Sequence, residues 1–142
     1  MTRLARLLVL SVVMVLPACA ARATTPAPAA RRSPILEVRE GLASYYGPGF
    51  HGKLTASGTR FDMREMVAAH PSYPFGTLLR VTNLRNGRVA QVRVVDRGPA
   101  RGPRAEGVII DVSSGVAGRL NFVRSGRTRV RVEVLRWGDD QS

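Results

Sequence analysis

A carboxylate stands at the end of an apolar, strand-like run of this sequence. In QVRVVDRGPARG, residues 91–102, Val92 and Val94 alternate with polar residues and lead to Asp96 and then Arg97. Because side chains alternate between the two faces of a strand, Asp96 is predicted to project from the rim of the apolar face. A partly desolvated carboxyl group there suits a general acid. An Asp before a Gly-Pro turn can equally cap the loop or pair with an arginine.

His70 is a second residue that could take part in proton transfer. It ends MREMVAAH, residues 63–70, whose apolar spacing predicts a short helix. A helix C-terminus favours a protonated imidazole. The alternative is that His70 only caps the helix.

Three aromatic residues, Tyr45, Tyr46 and Phe50, lie close together in the glycine-rich run SYYGPGFHG. Aromatic rings on such a loop can stack on the apolar faces of sugar rings, and the alternative is a small core beneath the loop. The sequence contains no metal-ligand cluster and no nucleotide-binding glycine pattern, so we expect neither a metal nor a cofactor.

The elements that position these residues are predicted to be mainly β. TLLRVTNLRNGRVAQVRVVD, residues 77–96, reads as a hairpin around Asn86-Gly87. TRVRVEVLRW, residues 128–137, alternates cleanly between valines on one face and Arg129, Arg131 and Glu133 on the other. GLASYYG and GVIIDVS predict further strands. Many short strands, with MREMVAAH and SSGVAGRL as two short helices, predict a small closed β-barrel. Ser113 or Ser114 is the expected N-cap of the second helix.

The composition is strongly basic. The 142 residues, enough for one domain of ordinary size, carry 22 basic and 10 acidic side chains, for a formal charge of +12, and Lys53 is the only lysine. This bias either reflects GC-rich codons or favours a polyanionic partner such as nucleic acid, an acidic membrane surface or an anionic wall polymer.

The N-terminus predicts export from the cytoplasm. MTRLARLLVLSVVMVLPACA has two arginines, then an apolar run over residues 7–16 that is short for a membrane span, then small residues. The only cysteine, Cys19, lies in LPAC, which resembles a bacterial lipobox. We expect residues 1–18 to be a signal peptide and Cys19 to be lipidated. The alternative is cleavage near ACA-ARA and secretion to the periplasm. Both make nucleic acid a poor candidate partner.

The expected organisation has three further parts. Residues 19–40 read as a lipid-attached flexible linker rich in Ala, Pro, Thr and Arg. Residues 41–137 form the barrel domain, and residues 138–142 are a polar tail. Ala20, not Asp, follows the cysteine, which by resemblance to bacterial lipoproteins predicts the periplasmic face of the outer membrane. We expect a monomer.

Several motifs in order resemble the RlpA (rare lipoprotein A) family of septal-ring-type lytic transglycosylases. They are ASYYG, TASG, AAH, PFGT, VTNL.NG, DRGP and IDVS, within residues 41–135. The resemblance implies a six-stranded double-psi β-barrel, related in fold to expansins, in a cell-envelope lipoprotein that acts on peptidoglycan glycan strands. It implies cleavage of the β-1,4 bond between N-acetylmuramic acid and N-acetylglucosamine, with a 1,6-anhydro product.

The resemblance also implies site residues. Asp96 of DRGP and His70 of AAH match family positions associated with activity, whereas the family's glutamate position after TA.G is occupied by Thr59. We assign Thr59, Asp62 and Arg97, with the three aromatic residues, to substrate binding. A lytic transglycosylase uses the 6-hydroxyl of its substrate as nucleophile, so one carboxyl group can act as acid and then as base. Asp96 is the expected single carboxylate.

Three functions compete at this point. The first is a lytic transglycosylase, supported by Asp96 and His70. The second is a non-catalytic glycan-binding or expansin-like wall-loosening module, which Thr59 favours. The third is a basic lipoprotein that bridges membrane and wall by charge.

Overall fold

A closed barrel of six strands makes up the folded part of the chain. The structure, a computed structural model, describes residues 34–139. The strands are β1 (Glu37–Tyr45), β2 (Val67–Ala69), β3 (Leu78–Asn83), β4 (Val89–Asp96), β5 (Val108–Val112) and β6 (Thr128–Arg136), and the helices are α1 (Arg101–Ala105) and α2 (Ser114–Arg119). The mainly β, six-stranded barrel predicted from the sequence is confirmed.

The strands do not follow chain order around the barrel. The order is β1-β5-β2-β4-β3-β6, and β6 closes on β1. Strand β5 runs parallel to β1, and β2 runs parallel to β4, whereas the remaining neighbours are antiparallel. This crossed order places β2, which is only three residues long, between β4 and β5. The ends of β4 and β5 therefore lie on the two sides of one short strand.

The barrel interior is filled by the apolar side chains that recur at every second position of several strands. Buried residues alternate with less buried ones along β3, β4 and β5, and the predicted hairpin of β3 and β4 pairs as expected. The three valines of β6 at positions 130, 132 and 134 are buried. Glu133, predicted on the solvent face, is covered instead, because the guanidinium of Arg80 on β3 forms a two-pronged ion pair with it, with Nε 2.6 Å from Oε2.

The prediction of a helix over residues 63–70 is wrong. Residues 67–69 form β2, and all three are buried between β4 and β5. A strand whose two faces are both buried is apolar throughout, and over so few residues that pattern resembles a helical face. The second predicted helix is confirmed as α2, with Ser113 as its N-cap accepting a hydrogen bond from the Val116 amide at 3.2 Å.

The boundaries differ from the sequence-based ones in two places. Strand β1 starts at Glu37, ahead of the predicted domain start at residue 41. The predicted loop at Gly98-Pro99 is followed by helix α1, which the sequence did not predict. The predicted signal peptide, Cys19, the linker up to residue 33 and the end of the tail, residues 140–142, lie outside the described residues. Within residues 34–139 no helix has the length and apolarity needed to cross a bilayer.

Candidate active site

A groove of about 320 Å³ opens where β1, β4 and β5 end near one another. Its walls come from the segment after β1, from the β4–α1 connection and from β5. The lining residues are Ser44, Tyr45, Tyr46, Gly47, Phe50, Asp96, Arg97, Gly98, Ala100, Pro103 and Asp111. The structure thus brings Asp96, Arg97 and the three predicted aromatic residues together. His70, Thr59 and Asp62 are not among the lining residues.

Asp96 lies at the last position of β4 and is half-buried. Its Oδ2 accepts a hydrogen bond from the Tyr46 hydroxyl at 3.0 Å. Its Oδ1 accepts from the backbone amides of Ala56 and Arg97, each at 2.8 Å. Three donors on two oxygens fix the orientation of the carboxylate and stabilise its negative charge. The loop-capping alternative therefore describes part of what Asp96 does, but the carboxylate also faces the groove.

Tyr46 is held as a hydrogen-bond donor to Asp96. Burial, the nearby Asp96 charge and hydrogen bond, and the Asp111 charge all raise the pKa of the phenol. Tyr46 therefore keeps its proton across the physiological range and points it at Asp96. A phenol in this position can hold the carboxylate in one rotamer while substrate binds.

The guanidinium of Arg97 turns away from the Asp96 carboxylate. Its Nη1 donates to the Tyr73 carbonyl at 2.8 Å, and the guanidinium carbon lies 3.8 Å from the centre of the Phe75 ring. The alternative that Asp96 pairs with the arginine side chain beside it is thus not what the structure shows. Arg97 contributes positive charge to the groove wall from a fixed position.

A second carboxyl group, Asp111 on β5, also lines the groove. Its Oδ1 accepts a hydrogen bond from the Ser44 hydroxyl. Burial raises the pKa of Asp111, opposed by the Ser44 hydrogen bond and the Arg127 charge. The expectation of a cleft with a single carboxylate is therefore corrected. The signal was present in GVIIDVS, where an Asp follows an apolar strand run as Asp96 does, but the sequence could not show that the two strands converge.

His70 lies directly after β2 and is 5% exposed. Its backbone amide donates to the Asp96 carbonyl at 3.2 Å, so the two residues are adjacent in space. Its Nδ1 accepts from the backbone amides of Ser72 and Tyr73, at 3.3 and 3.0 Å, and its ring stacks on Tyr73 with 3.5 Å between centroids. The imidazole is thus used internally, and among the described residues no side-chain hydrogen bond joins it to Asp96.

The predicted protonated state of His70 is also wrong. Burial, together with the charges of Arg39 and Arg97, lowers the pKa of the imidazole to about 4, although Glu37 opposes this. The physical reason is that His70 follows a buried strand rather than ending a helix, so no helix dipole favours the cation. His70 is neutral at pH 7 and organises the segment that follows β2.

A pH dependence of stability follows from His70. The folded imidazole binds a proton less readily than the unfolded one, whose pKa is about 6.5. The contribution of His70 to the free energy of unfolding is therefore fully present above pH 6.5, and it is lost as the pH falls toward 4. We expect the free energy of unfolding to decrease by roughly 3 kcal/mol over that window. Urea titrations at several pH values measure it. His70→Asn, whose Oδ1 can replace the Nδ1 acceptor, should flatten the slope, and an unchanged slope would contradict the prediction.

Thr59 and Asp62 belong to the loop that precedes β2. Thr59 is exposed, and its hydroxyl hydrogen-bonds with those of Thr55 and Ser57, at 3.0 and 3.1 Å. This loop also contains Ala56, whose backbone amide donates to the Asp96 carboxylate. Thr59 is thus three residues along the chain from a residue that contacts Asp96. The Asp62 carboxylate accepts from the Arg64 amide at 2.8 Å and lies 3.7 Å from His51 Nδ1. The role of both residues in binding stays a prediction.

The three aromatic residues divide into supporting and exposed rings. Tyr45 packs edge-on against buried Phe122, and its hydroxyl donates to the Val123 carbonyl at 3.1 Å. Tyr46 packs on buried Phe61, with 4.6 Å between centroids. Phe50 packs edge-on against Tyr46 and is 49% exposed. The small-core alternative thus describes Tyr45 and Tyr46 in part, and Phe50 is the ring most available to a ligand.

Under the sequence-based expectation of a glycan ligand, Phe50→Ala should weaken binding to glycan strands without destabilising the barrel. Stacking of an exposed ring contributes about 1 kcal/mol, or about fivefold in Kd. The thermal midpoint should change little because the ring is half exposed. Sedimentation with purified peptidoglycan and a thermal melt measure both effects. Tyr46→Ala is the matched contrast, because loss of its contacts with Phe61 should lower the melting temperature. Unchanged binding by Phe50→Ala would show that this ring does not contact the ligand.

A larger cavity, of about 460 Å³, lies near Asn83, Asn121 and Arg124 at the joint of β3, α2 and β6. No acidic residue lines it, so it lacks a group that could transfer protons to a glycosidic bond. Within residues 34–139 no three His, Cys, Asp or Glu side chains gather as a metal site. The groove with Asp96 and Asp111 is therefore the candidate active site.

The barrel and its groove define the class of the protein as a double-psi β-barrel. The chain belongs to the lytic transglycolase family, whose sequence profile matches residues 38–132. It is similar to the endolytic peptidoglycan transglycosylase RlpA of Campylobacter jejuni, with 45% identity over 106 residues that cover 75% of this chain and 37% of that relative. The predicted resemblance to RlpA is confirmed, and the chain spans little more than a third of that relative's length.

Two solved structures share the fold. The Streptomyces papain inhibitor superposes with a TM-score of 0.57 at 23% identity, over 72% of this chain and 98% of that one. The expansin of Clavibacter michiganensis superposes with a TM-score of 0.56 at 20% identity, over 72% of this chain and 52% of that one. At these identities the likeness establishes the barrel architecture and not the activity.

Proposed function

We propose that this domain is a peptidoglycan lytic transglycosylase. It cleaves the β-1,4 bond between N-acetylmuramic acid and N-acetylglucosamine and leaves a 1,6-anhydro end. The observation that carries the proposal is the groove in which Asp96 is fixed by three hydrogen bonds, within a chain of the lytic transglycolase family. The name of the Campylobacter relative supports the same substrate and reaction.

The reaction needs a proton delivered to the leaving oxygen and a proton removed from the 6-hydroxyl that attacks the anomeric carbon. A single carboxyl group can do both in turn, and the sequence predicts Asp96 for this role. The fixed, hydrogen-bonded carboxylate of Asp96 suits the second half in particular, because its anion is oriented toward the groove before substrate arrives. We assign removal of the 6-hydroxyl proton to Asp96.

The shape of the surface suits a polymer. A second cavity of about 320 Å³ shares Arg97, Gly98 and Ala100 with the groove and adds Pro71 and Arg104. The two cavities adjoin at these shared residues, with Phe50 lining one and Arg104 lining the other. A glycan strand can stack on the aromatic ring, and the arginines can bind the carboxylates of its stem peptides, or of its lactyl groups where the peptide has been removed.

The cellular setting is proposed on the sequence. A signal peptide over residues 1–18 and a lipid on Cys19 would hold the barrel at the periplasmic face of the outer membrane, within reach of the wall. Cleavage without lipidation would release it into the periplasm instead. The partners are then peptidoglycan strands and, through the lipid, the membrane, with the barrel acting as a monomer.

A second function is a glycan-binding module that does not cleave. Thr59 favours it, because a threonine cannot ionise as the family's glutamate does. The fold shared with the Clavibacter expansin is compatible with such a module but does not argue for it.

Digestion of purified peptidoglycan sacculi separates the two functions. A lytic transglycosylase should release 1,6-anhydro-muropeptides, which mass spectrometry distinguishes from hydrolysis products by the loss of one water. A binding module should sediment with the sacculi and release nothing. Soluble products that lack the anhydro ring would contradict both and indicate a hydrolase.

A further inference from the structure

The two carboxyl groups of the groove flank a single residue of β2. Ala69 pairs with Asp96 on β4 to one side and with Asp111 on β5 to the other. With adjacent strands spaced about 4.8 Å apart, the two aspartate Cα atoms lie about 10 Å from each other. Residues directly opposite one another in a sheet project to the same face. The two side chains therefore reach into the groove from opposite sides of Ala69.

The surroundings of the two carboxyl groups differ. Both oxygens of Asp96 accept hydrogen bonds, as described above. In Asp111 only Oδ1 is engaged, by Ser44, and among the described residues Oδ2 has no hydrogen-bond partner. A Cβ atom built on Gly98 would lie 3.3 Å from this Oδ2 and 3.4 Å from Ala69 Cβ. The lack of a side chain at Gly98 thus leaves space beside Oδ2.

A group with one free oxygen in a partly desolvated setting is suited to carry a proton. Burial disfavours the Asp111 anion and raises the pKa of its carboxyl group, although Ser44 and the charge of Arg127 oppose this. The other titratable groups around it are Asp96 across β2 and the Tyr46 phenol, while α1 contributes Pro103 to the same wall. Two carboxyl groups whose environments differ in this way are the usual arrangement for a separate acid and base.

We propose that Asp111 is the general acid of this groove and that Asp96 is the base. The proton on Asp111 Oδ2 passes to the glycosidic oxygen as the bond from the anomeric carbon to that oxygen breaks. The 6-hydroxyl oxygen then bonds to the anomeric carbon and gives its proton to Asp96. One proton is delivered and one is taken up, and exchange with water returns both groups to their starting states. The inference rests on the proposed function and adds a second catalytic residue to it.

Ser44 is a positioning residue in this scheme. Its hydroxyl holds Oδ1, which leaves Oδ2 as the oxygen that faces the substrate. Because its hydrogen bond also stabilises the Asp111 anion, Ser44→Ala should move the alkaline limb of the pH–rate profile to higher pH. A purely structural role would lower the rate at all pH values without moving that limb.

The test compares two substrates that differ in the leaving group. On sacculi, Asp111→Asn and Asp96→Asn should each lose about 10²–10⁴-fold in release of anhydro-products. The second substrate is the 2,4-dinitrophenyl glycoside of the GlcNAc–MurNAc disaccharide, whose phenolate leaves without a proton. Asp111→Asn should recover to within about tenfold of wild type on it, and Asp96→Asn should not.

Several outcomes would overturn the assignment. Asp111→Asn with wild-type activity on sacculi, or no recovery on the dinitrophenyl glycoside, removes Asp111 as the acid. In either case, if the wild-type protein releases anhydro-products, the proposed function is still supported and only the role of Asp111 is rejected. A wild-type protein that cleaves neither substrate ends both proposals.

Should Asp111→Asn fail to fold, as thermal melts and sacculus binding would reveal, the wild-type pH profile decides. The rate on sacculi should fall as the pH rises through the pKa of Asp111, and this limb should vanish with the dinitrophenyl glycoside. The same limb on both substrates would contradict the assignment.

Discussion

Asp96→Asn is expected to abolish nearly all release of 1,6-anhydro products while leaving binding to sacculi intact. General base catalysis contributes about 10²–10⁴-fold, and an amide cannot accept the 6-hydroxyl proton. The asparagine oxygen can still accept from the amides of Ala56 and Arg97, and its NH₂ group can donate to the Tyr46 hydroxyl oxygen. The barrel and the groove should therefore persist. Product release by mass spectrometry, with sedimentation of the variant on sacculi, measures both effects.

Glu40→Gln is the matched control for this change. It also converts a carboxylate to an amide, but Glu40 is on the outer face of β1, where it pairs with Arg131 at 2.8 Å. Its activity should equal that of the wild type. Full activity of Asp96→Asn would show that Asp96 has no part in proton transfer. Loss of both activity and binding, with a lower melting temperature, would assign Asp96 to the structure of the loop instead.

Thr59→Glu is expected to raise the rate of anhydro-product release, by up to about 10²-fold if the missing carboxylate limits the wild-type protein. Thr59 is exposed and belongs to the loop whose Ala56 amide binds Asp96, so a longer acidic side chain can reach toward the groove without disturbing the core. The measurement is the initial rate on sacculi at equal protein concentration.

Thr59→Gln separates the effect of charge from that of length. It has the same size as the glutamate and cannot ionise, so it should remain at the wild-type rate. Equal rates for the two variants would show that the family's glutamate position does not limit this protein. If wild type and Thr59→Glu both bind sacculi and release nothing, the enzymatic proposal fails and the binding module remains.

The neutral state of His70 limits what it can do in the same reaction. With Nδ1 accepting two backbone amides and the ring stacked on Tyr73, it cannot donate from that nitrogen without breaking the segment after β2. Its proximity to Asp96 is through the backbone. The catalytic role of His70 stays a prediction, and the contact that the structure shows is the support its backbone amide gives to the Asp96 segment.

The sequence by itself determined those features that depend on neighbours along the chain. The β3–β4 hairpin follows from alternating residues around Asn86-Gly87, and the N-cap of α2 from Ser113. Asp96 was correctly predicted at the rim of an apolar strand because the period of two is a local property of an extended chain. The motifs in order also identified the family.

Only the tertiary structure decided which segments lie side by side. Residues 67–69 became a strand because β4 and β5 cover both of its edges, and no local pattern over three residues can express that. The same pairing brought Asp96 and Asp111 to the two sides of Ala69, made His70 a buried neutral residue and turned Arg97 toward Tyr73 and Phe75. These outcomes depend on register between strands that are distant in the chain, and register is set by packing of the closed barrel rather than by the preferences of any one segment.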